Sequence, residues 1–401
     1  MKVYTLLDQR VLHEAMLRLR RTLVNLTMIV ASALAAAGTI ELAARLYLSY
    51  QPVFPKTWEF RASRPPPYRD APYFNREFIE ESHRIEARSL NLGSENVRGK
   101  YINIAGGFHV TTDEPVDPER RLLLFGASTV ANFNVPDNLT VASYLQRLLN
   151  ERTSIRWEVR NLGRQATTVR RQLDLLKSTP LRPNDVVVFY DGGMDIDMEV
   201  FRGITIAQQM SPTIDVHRNV LQRILVNLYD KFSDRSAAVK VWLDVYSRNP
   251  PTTVTNHQIL QANVTQMVDS FEATLVQANT LVRSEAGTFM HFLHPSLPVL
   301  ASPDAYEQSL FENPFLAPAG IKPAFVQGQP ALQAMTRRLR AQGLLAFDLT
   351  DAFDARPNGE EIFLDLFHVN HRGNEIIAQR IFTVVTDQIV IRKGNDALSI
   401  R

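Results

Sequence analysis

A chain of 401 residues with 44 basic and 42 acidic side chains carries a formal charge of +2, with its basic residues dispersed, so nucleic acid is not an expected partner. The absence of cysteine excludes disulfides, thiolate metal sites and cysteine nucleophiles, and leaves the redox compartment open. A hydrophobic fraction of 45% with 21% charged residues is that of an ordinary globular protein with room for one large core.

Residues 1–22 place Val11, Leu12, Ala15, Leu17 and Leu19 among Arg and Glu, the pattern of a cytoplasmic amphipathic tail at a membrane face. Residues 23–40 contain no charge, and continued to residue 48 they form a helix long enough to cross a hydrocarbon core of about 30 Å. Ala31-Ser32-Ala33 and Ala35-Ala36-Ala37 resemble signal-cleavage sites, but the apolar run exceeds the roughly 7–15 residues of a signal h-region, which favours an uncleaved anchor in membrane lipid. Arg18, Arg20 and Arg21 precede the span and predict a cytoplasmic N-terminus, with the bulk of the chain outside the cytoplasmic membrane as a single-pass, periplasmic or extracytoplasmic domain. Glu41 and Arg45, four apart, read as an ion pair on one helical face, and alternatively as a contact to integral membrane subunits. Ala31, Ala35 and Gly38 would permit a close helix approach, though alanine is also simply a good helix former.

Residues 49–115 form a membrane-proximal segment rich in proline and aromatics, expected to be extended and to dock on its own domain, on headgroups or on a partner. From there to residue 392, short β-branched runs alternate with helical stretches, which predicts a doubly wound parallel α/β sheet. Strands are expected over 121–125, 157–161, 185–190, 288–293 and 344–349, with a helix over 141–151. Residues 199–250 read as an insertion with helices near 220–232 and 236–246, residues 301–329 as a second, irregular insertion, and 393–401 as a tail.

Three separated blocks carry the chemistry. Phe125-Gly126-Ala127-Ser128-Thr129 follows the first strand, Asn161-Leu162-Gly163 the second, and Asp365-Leu366-Phe367-His368 lies near the end. A serine hydroxyl becomes a nucleophile when a histidine takes its proton and a carboxylate holds that histidine's tautomer, so Ser, His and Asp must converge in space whatever their order in sequence. Ser128, Gly163 and Gly192 each follow a strand, which puts them on one rim of the sheet.

These blocks resemble the SGNH (GDSL-like) serine hydrolases, a flavodoxin-like family of esterases, lipases and carbohydrate deacetylases. The likeness runs from about Tyr101 to Val390. It implies Ser128 as nucleophile, His368 as base and Asp365 as its orienting carboxylate. Oxyanion donors would be the amides of Ser128 and Gly163. The third block, Gly192-Gly193-Met194-Asp195, departs from the family pattern, since Met194 stands where an asparagine donates a side-chain N–H to the oxyanion. Ala127 stands where the best-known members carry aspartate. His109, His217, His257 and His371 read as surface or packing residues, while His291 and His294 flank a strand end and could line the cleft. Asp191, Asp195 and Asp197 read as a solvated acidic turn, with cation binding as the lesser alternative; no cofactor and no metal are expected.

Two functions follow. The first is a membrane-anchored esterase or O-deacetylase, or an acyltransferase using the same parts, acting on acylated envelope glycan or lipid. The second is a catalytically weakened SGNH-like domain serving as an accessory subunit of a membrane complex.

Overall fold

The computed structural model describes residues 2–50, 65–89, 95–202, 257–312, 317, 320–357 and 359–392. The insertion helices expected near 220–232 and 236–246, and the 393–401 tail, lie outside the described residues.

Helix α1 spans Lys2–Tyr50 without a break, so no boundary separates the expected tail from the expected span. Within it Arg20–Leu46 is long and apolar enough to cross a membrane. Leu23, Ile29 and Leu34 are exposed on it, and the hydroxyls of Thr22, Thr27 and Thr39 donate to the carbonyls of Arg18, Leu23 and Ala35 one turn back. That back-bonding hides hydroxyls that hydrocarbon would otherwise leave unsatisfied. Arg45 Nε donates to Glu41 Oε1 at 2.9 Å, the intrahelical pair that the spacing predicts. This helix belongs to a different compact unit from the sheet.

In the second unit, a short 3-10 turn at Pro66–Tyr68 leads to helix α2, Arg76–Ser89, which Asn75 caps by accepting the Phe78 N–H. A small hairpin follows, β1 (Ile104–Ala105) with β2 (Phe108–His109). The main sheet holds β3 (Arg120–Gly126), β4 (Trp157–Gly163), β5 (Val186–Asp191), β6 (Thr288–Leu293) and β7 (Leu345–Asp348), all parallel, in the order β4-β3-β5-β6-β7. Counted within the sheet this is the flavodoxin order 2-1-3-4-5. Leu122–Leu124 and Val186–Phe189 are fully buried, as continuous apolar runs in central parallel strands must be. Near the opposite end of β3 from Gly126, Arg121 makes a buried, two-pronged pair with Asp185 just before β5.

Flanking helices are α3 (Ser128–Ala131), α4 (Val141–Arg152), α5 (Val169–Ser178), α6 (His257–Ser284), α7 (Ala305–Glu312), α8 (Ile321–Ala341) and α9 (His371–Arg392). The irregular insertion expected over 301–329 is therefore corrected in its described part: it contains α7 and the first turns of α8. The helix start is written in Asp304-x-x-Glu307, a capping box in which Asp304 Oδ1 accepts the Glu307 N–H at 2.8 Å and Glu307 Oε2 the Asp304 N–H at 3.1 Å. Arg356 then pairs with the fully buried Glu307, tying α7 to the loop that precedes the last motif.

Beyond α1, the described part of the segment over 49–115 belongs to the same compact unit as the sheet. Tyr68, Phe74, Phe78 and Ile85 form a second core with Ala131 and Phe133 from the turn after β3. Tyr68 stacks on Phe74 with ring centroids 4.0 Å apart. Buried Glu81 accepts the N–H groups of Lys100, Tyr101 and Ile102.

Candidate active site

Strands β3, β4 and β5 end in register, with Gly126 opposite both Gly163 and Tyr190, so the loops that follow them share one rim. Ser128 is the first residue of α3, directly after the extended Ala127, and its side chain is buried. Opening a helix leaves its own N–H without an intrahelical acceptor, as an oxyanion donor requires.

Asp365 and His368 are assembled as a dyad. His368 Nδ1 lies 2.7 Å from Asp365 Oδ2, and Asp365 Oδ1 accepts the N–H groups of Phe367 and His368 at 2.8 Å each. Burial alone would raise the Asp365 carboxyl, but the charge of His368 and these hydrogen bonds hold it below its ordinary value. Burial likewise opposes the charged His368, yet the charge and hydrogen bond of Asp365, helped by Glu86 of α2, lift its imidazole above the ordinary 6.5. No hydrogen bond joins Ser128 to His368 among the described residues; such contacts commonly tighten only with substrate bound. Because a base must be deprotonated, kcat/KM of an active enzyme is expected to rise with pH through a midpoint above 6.5. Asp365→Asn should move that midpoint down as well as slow the reaction, and a pH–rate profile whose acid limb stays in place in Asp365→Asn would contradict the assignment of His368 as base.

Gly163 has a different job from the one its motif suggests. Its N–H donates to Asn161 Oδ1 at 3.0 Å, while Asn161 Nδ2 donates to Val130 O at 2.9 Å, so Asn161-Leu162-Gly163 clamps the far end of α3. A Cβ at 163 would lie 2.2 Å from Ala131 N, so glycine is demanded here by the close approach of the Ser128 helix. Gly163→Ala is expected to destabilise the domain by about 1–3 kcal/mol or more, read as a lower thermal midpoint; an unchanged midpoint would show that the helix is not held this tightly. The loop residue that stands out instead is Ala166, in the left-handed region at φ 51°, three residues beyond the strand end. Strained non-glycine backbone of this kind concentrates at functional turns. Motif reading passed over it because alanine announces no positive φ.

Met194 sits half-buried in the Gly193–Asp195 turn, which runs into a π-helical stretch over Ile196–Arg202. The neighbouring acidic residues are not a solvated turn: Asp191, Asp195 and Asp197 are all buried. Asp191 Oδ1 meets His291 Nε2 at 2.9 Å, and Asp195 Oδ1 accepts the Val169 N–H at 3.0 Å, tying the third block to the start of α5. Burial first, then the charges of Asp191 and Glu199, push the Asp195 carboxyl well up. Among the described residues no group of three or more acidic or histidine side chains is arranged to hold a metal ion.

The histidines separate by position. His291 points into the core against Phe271, whereas His294, just past the end of β6, lies beside Tyr190 and Gly193. His109 is buried, with Nδ1 2.7 Å from Ala131 O and Nε2 2.9 Å from Asp137 Oδ1, and so fastens α3 from below. His371 Nδ1 lies 3.3 Å from the Tyr73 hydroxyl, and Asn370 Nδ2 donates to Pro67 O at 2.7 Å, so the segment before α2 is stitched to the last motif. His217 lies outside the described residues.

No protein-family model matches the chain, and no curated protein does. Among solved structures, a lipolytic protein of the G-D-S-L family from Veillonella parvula DSM 2008 aligns at 14% identity and a TM-score of 0.37, over 67% of this chain and 98% of its own. The acetylxylan esterase Axe2 from Geobacillus stearothermophilus aligns at 12% identity and a TM-score of 0.36, over 67% of this chain and 94% of its own. The chain is thus similar to G-D-S-L lipolytic proteins and acetylxylan esterases, and its own strand order and the rim position of its motifs agree with the SGNH resemblance of its sequence.

Proposed function

We propose that this protein is an SGNH-type serine esterase anchored to a membrane by α1, removing or transferring acyl groups on envelope glycan or lipid. The observation that carries this reading is the Asp365–His368 dyad on the loop before α9, with the Asp365 carboxylate accepting from the Phe367 and His368 N–H groups and paired with His368 Nδ1. A carboxylate so placed selects the tautomer in which His368 Nε2 is free to take a proton. Ser128 would attack the acyl carbonyl with His368 as base, and the proton would then pass to the leaving alkoxide. Water, or a sugar hydroxyl in transfer, would release the acyl group from Ser128. The Ser128 amide is one oxyanion donor, and the amide of Ala166 replaces that of Gly163 as the candidate from the second block.

A second reading, an accessory subunit of a membrane complex, draws support from Met194 at a donor position. One preparation separates the two: the full chain purified from native membranes in mild detergent, assayed on 4-nitrophenyl acetate and acetylated xylan, with co-purifying proteins identified. Hydrolysis that disappears in Ser128→Ala supports the enzyme; none in the parent on either ester, with a stoichiometric membrane partner present, supports the subunit.

A further inference from the structure

The third block lacks its donor, and the structure places another polar group beside the gap. His294 is buried, and its Nδ1 finds no hydrogen-bond partner outside its own residue among the described residues. A buried ring nitrogen without a partner is costly and needs a reason. The ring lies against the turn that contains Met194: a Cβ at Gly193 would fall 2.8 Å from His294 Cε1 and 3.4 Å from Nδ1, and 3.3 Å from Phe367 Cδ1. Glycine at 193 therefore lets both the imidazole and the ring of Phe367, the residue next to His368, close in on the Met194 turn. The backbone holds it there, since His294 N–H donates to Asp191 O at 2.9 Å and its carbonyl accepts from Gln329 Nε2 at 3.1 Å.

We propose that His294 is an oxyanion donor of this site, a neutral imidazole N–H supplying the hydrogen bond that an asparagine at 194 would have made. The proposal rests on the esterase reading above. Its electrostatics suit the role: burial pushes His294 down to about 4, its own backbone carbonyl opposes this, and the charges of His368 and Asp365 act on it in opposite directions. At neutral pH the ring is uncharged, so it polarises the carbonyl without competing with His368 for the transferred proton. A neutral imidazole acting as electrophile is an established device. A half-buried thioether at 194 then makes sense as apolar packing beside a donor that comes from the neighbouring strand.

The test uses the full chain in detergent with 4-nitrophenyl acetate. His294→Leu is expected to lower kcat by about 10²-fold with KM changed by less than about threefold. Met194→Asn should raise kcat by about 10-fold or more in the His294→Leu background and by less than about threefold in the parent, because one donor substitutes for the other. A purely structural histidine would not be rescued in this way. Should His294→Leu fail to fold, proton NMR of the histidine-labelled parent decides: phosphonylation of Ser128 by a fluorophosphonate, which displaces fluoride and places a strongly polarised phosphoryl oxygen in the hole, should bring a His294 imidazole N–H to low field. Hydrolysis unchanged in His294→Leu, a loss that Met194→Asn does not rescue, or an unshifted His294 resonance would overturn the donor while leaving the esterase standing. A parent that neither hydrolyses the ester nor takes up the fluorophosphonate overturns both.

Discussion

Ser128→Ala is expected to abolish ester hydrolysis by the full chain, with kcat falling by about 10⁴-fold or to the background of the assay. The serine opens α3 at the rim of the sheet. His368→Ala should cost as much, and the double variant no more than either alone, because nucleophile and base act as a unit. Asp365→Asn should cost about as much again, since an amide at this position no longer selects the tautomer that His368 needs. All three changes leave the buried sheet untouched, so thermal unfolding followed by circular dichroism should stay within a few degrees of the parent. A folded Ser128→Ala protein that kept more than about a tenth of parental turnover would remove Ser128 from the mechanism.

The largest effect on stability is expected at the other end of β3. Arg121 donates through Nε to Asp185 Oδ1 at 3.0 Å and also to Asp185 Oδ2 and to Pro180 O, with both side chains buried. Deleting one partner leaves the other charged and unpaired in the interior, so Asp185→Ala is expected to destabilise by about 3–5 kcal/mol. For a domain of this size that is a fall in Tm on the order of 10 °C. Replacing the pair together, as Arg121→Met with Asp185→Leu, should cost much less, because no orphan charge remains. Equal losses in the single and double variants would show that the pair is not the source of the effect. The catalytic motifs lie at the opposite end of these strands, so the residual folded fraction should keep its catalytic constants.

Much of this architecture is legible in the chain. The runs around Leu122–Leu124 and Val186–Phe189 read as strands buried on both faces, and their alternation with helices predicts a parallel sheet, whose loops share a rim at the carboxyl ends of the strands. Asp365-x-x-His368 is legible for the same reason: a spacing of three on one short loop brings carboxylate and imidazole together whatever surrounds them. The charge-free run after Leu23 likewise depends on composition and length alone. Only tertiary structure decided the rest, because it turns on atoms far apart in sequence. Gly163 is a glycine because Ala131 lies against it, and its N–H is taken by Asn161. Asp191, Asp195 and Asp197, which look like a solvated cluster as a string of letters, are buried by neighbours from other elements, and Asp191 meets a histidine 100 residues away. His294 comes against Gly193, next to Met194 in the chain, because β6 pairs with β5, a register that backbone hydrogen bonds set and side-chain spacing along the chain does not express.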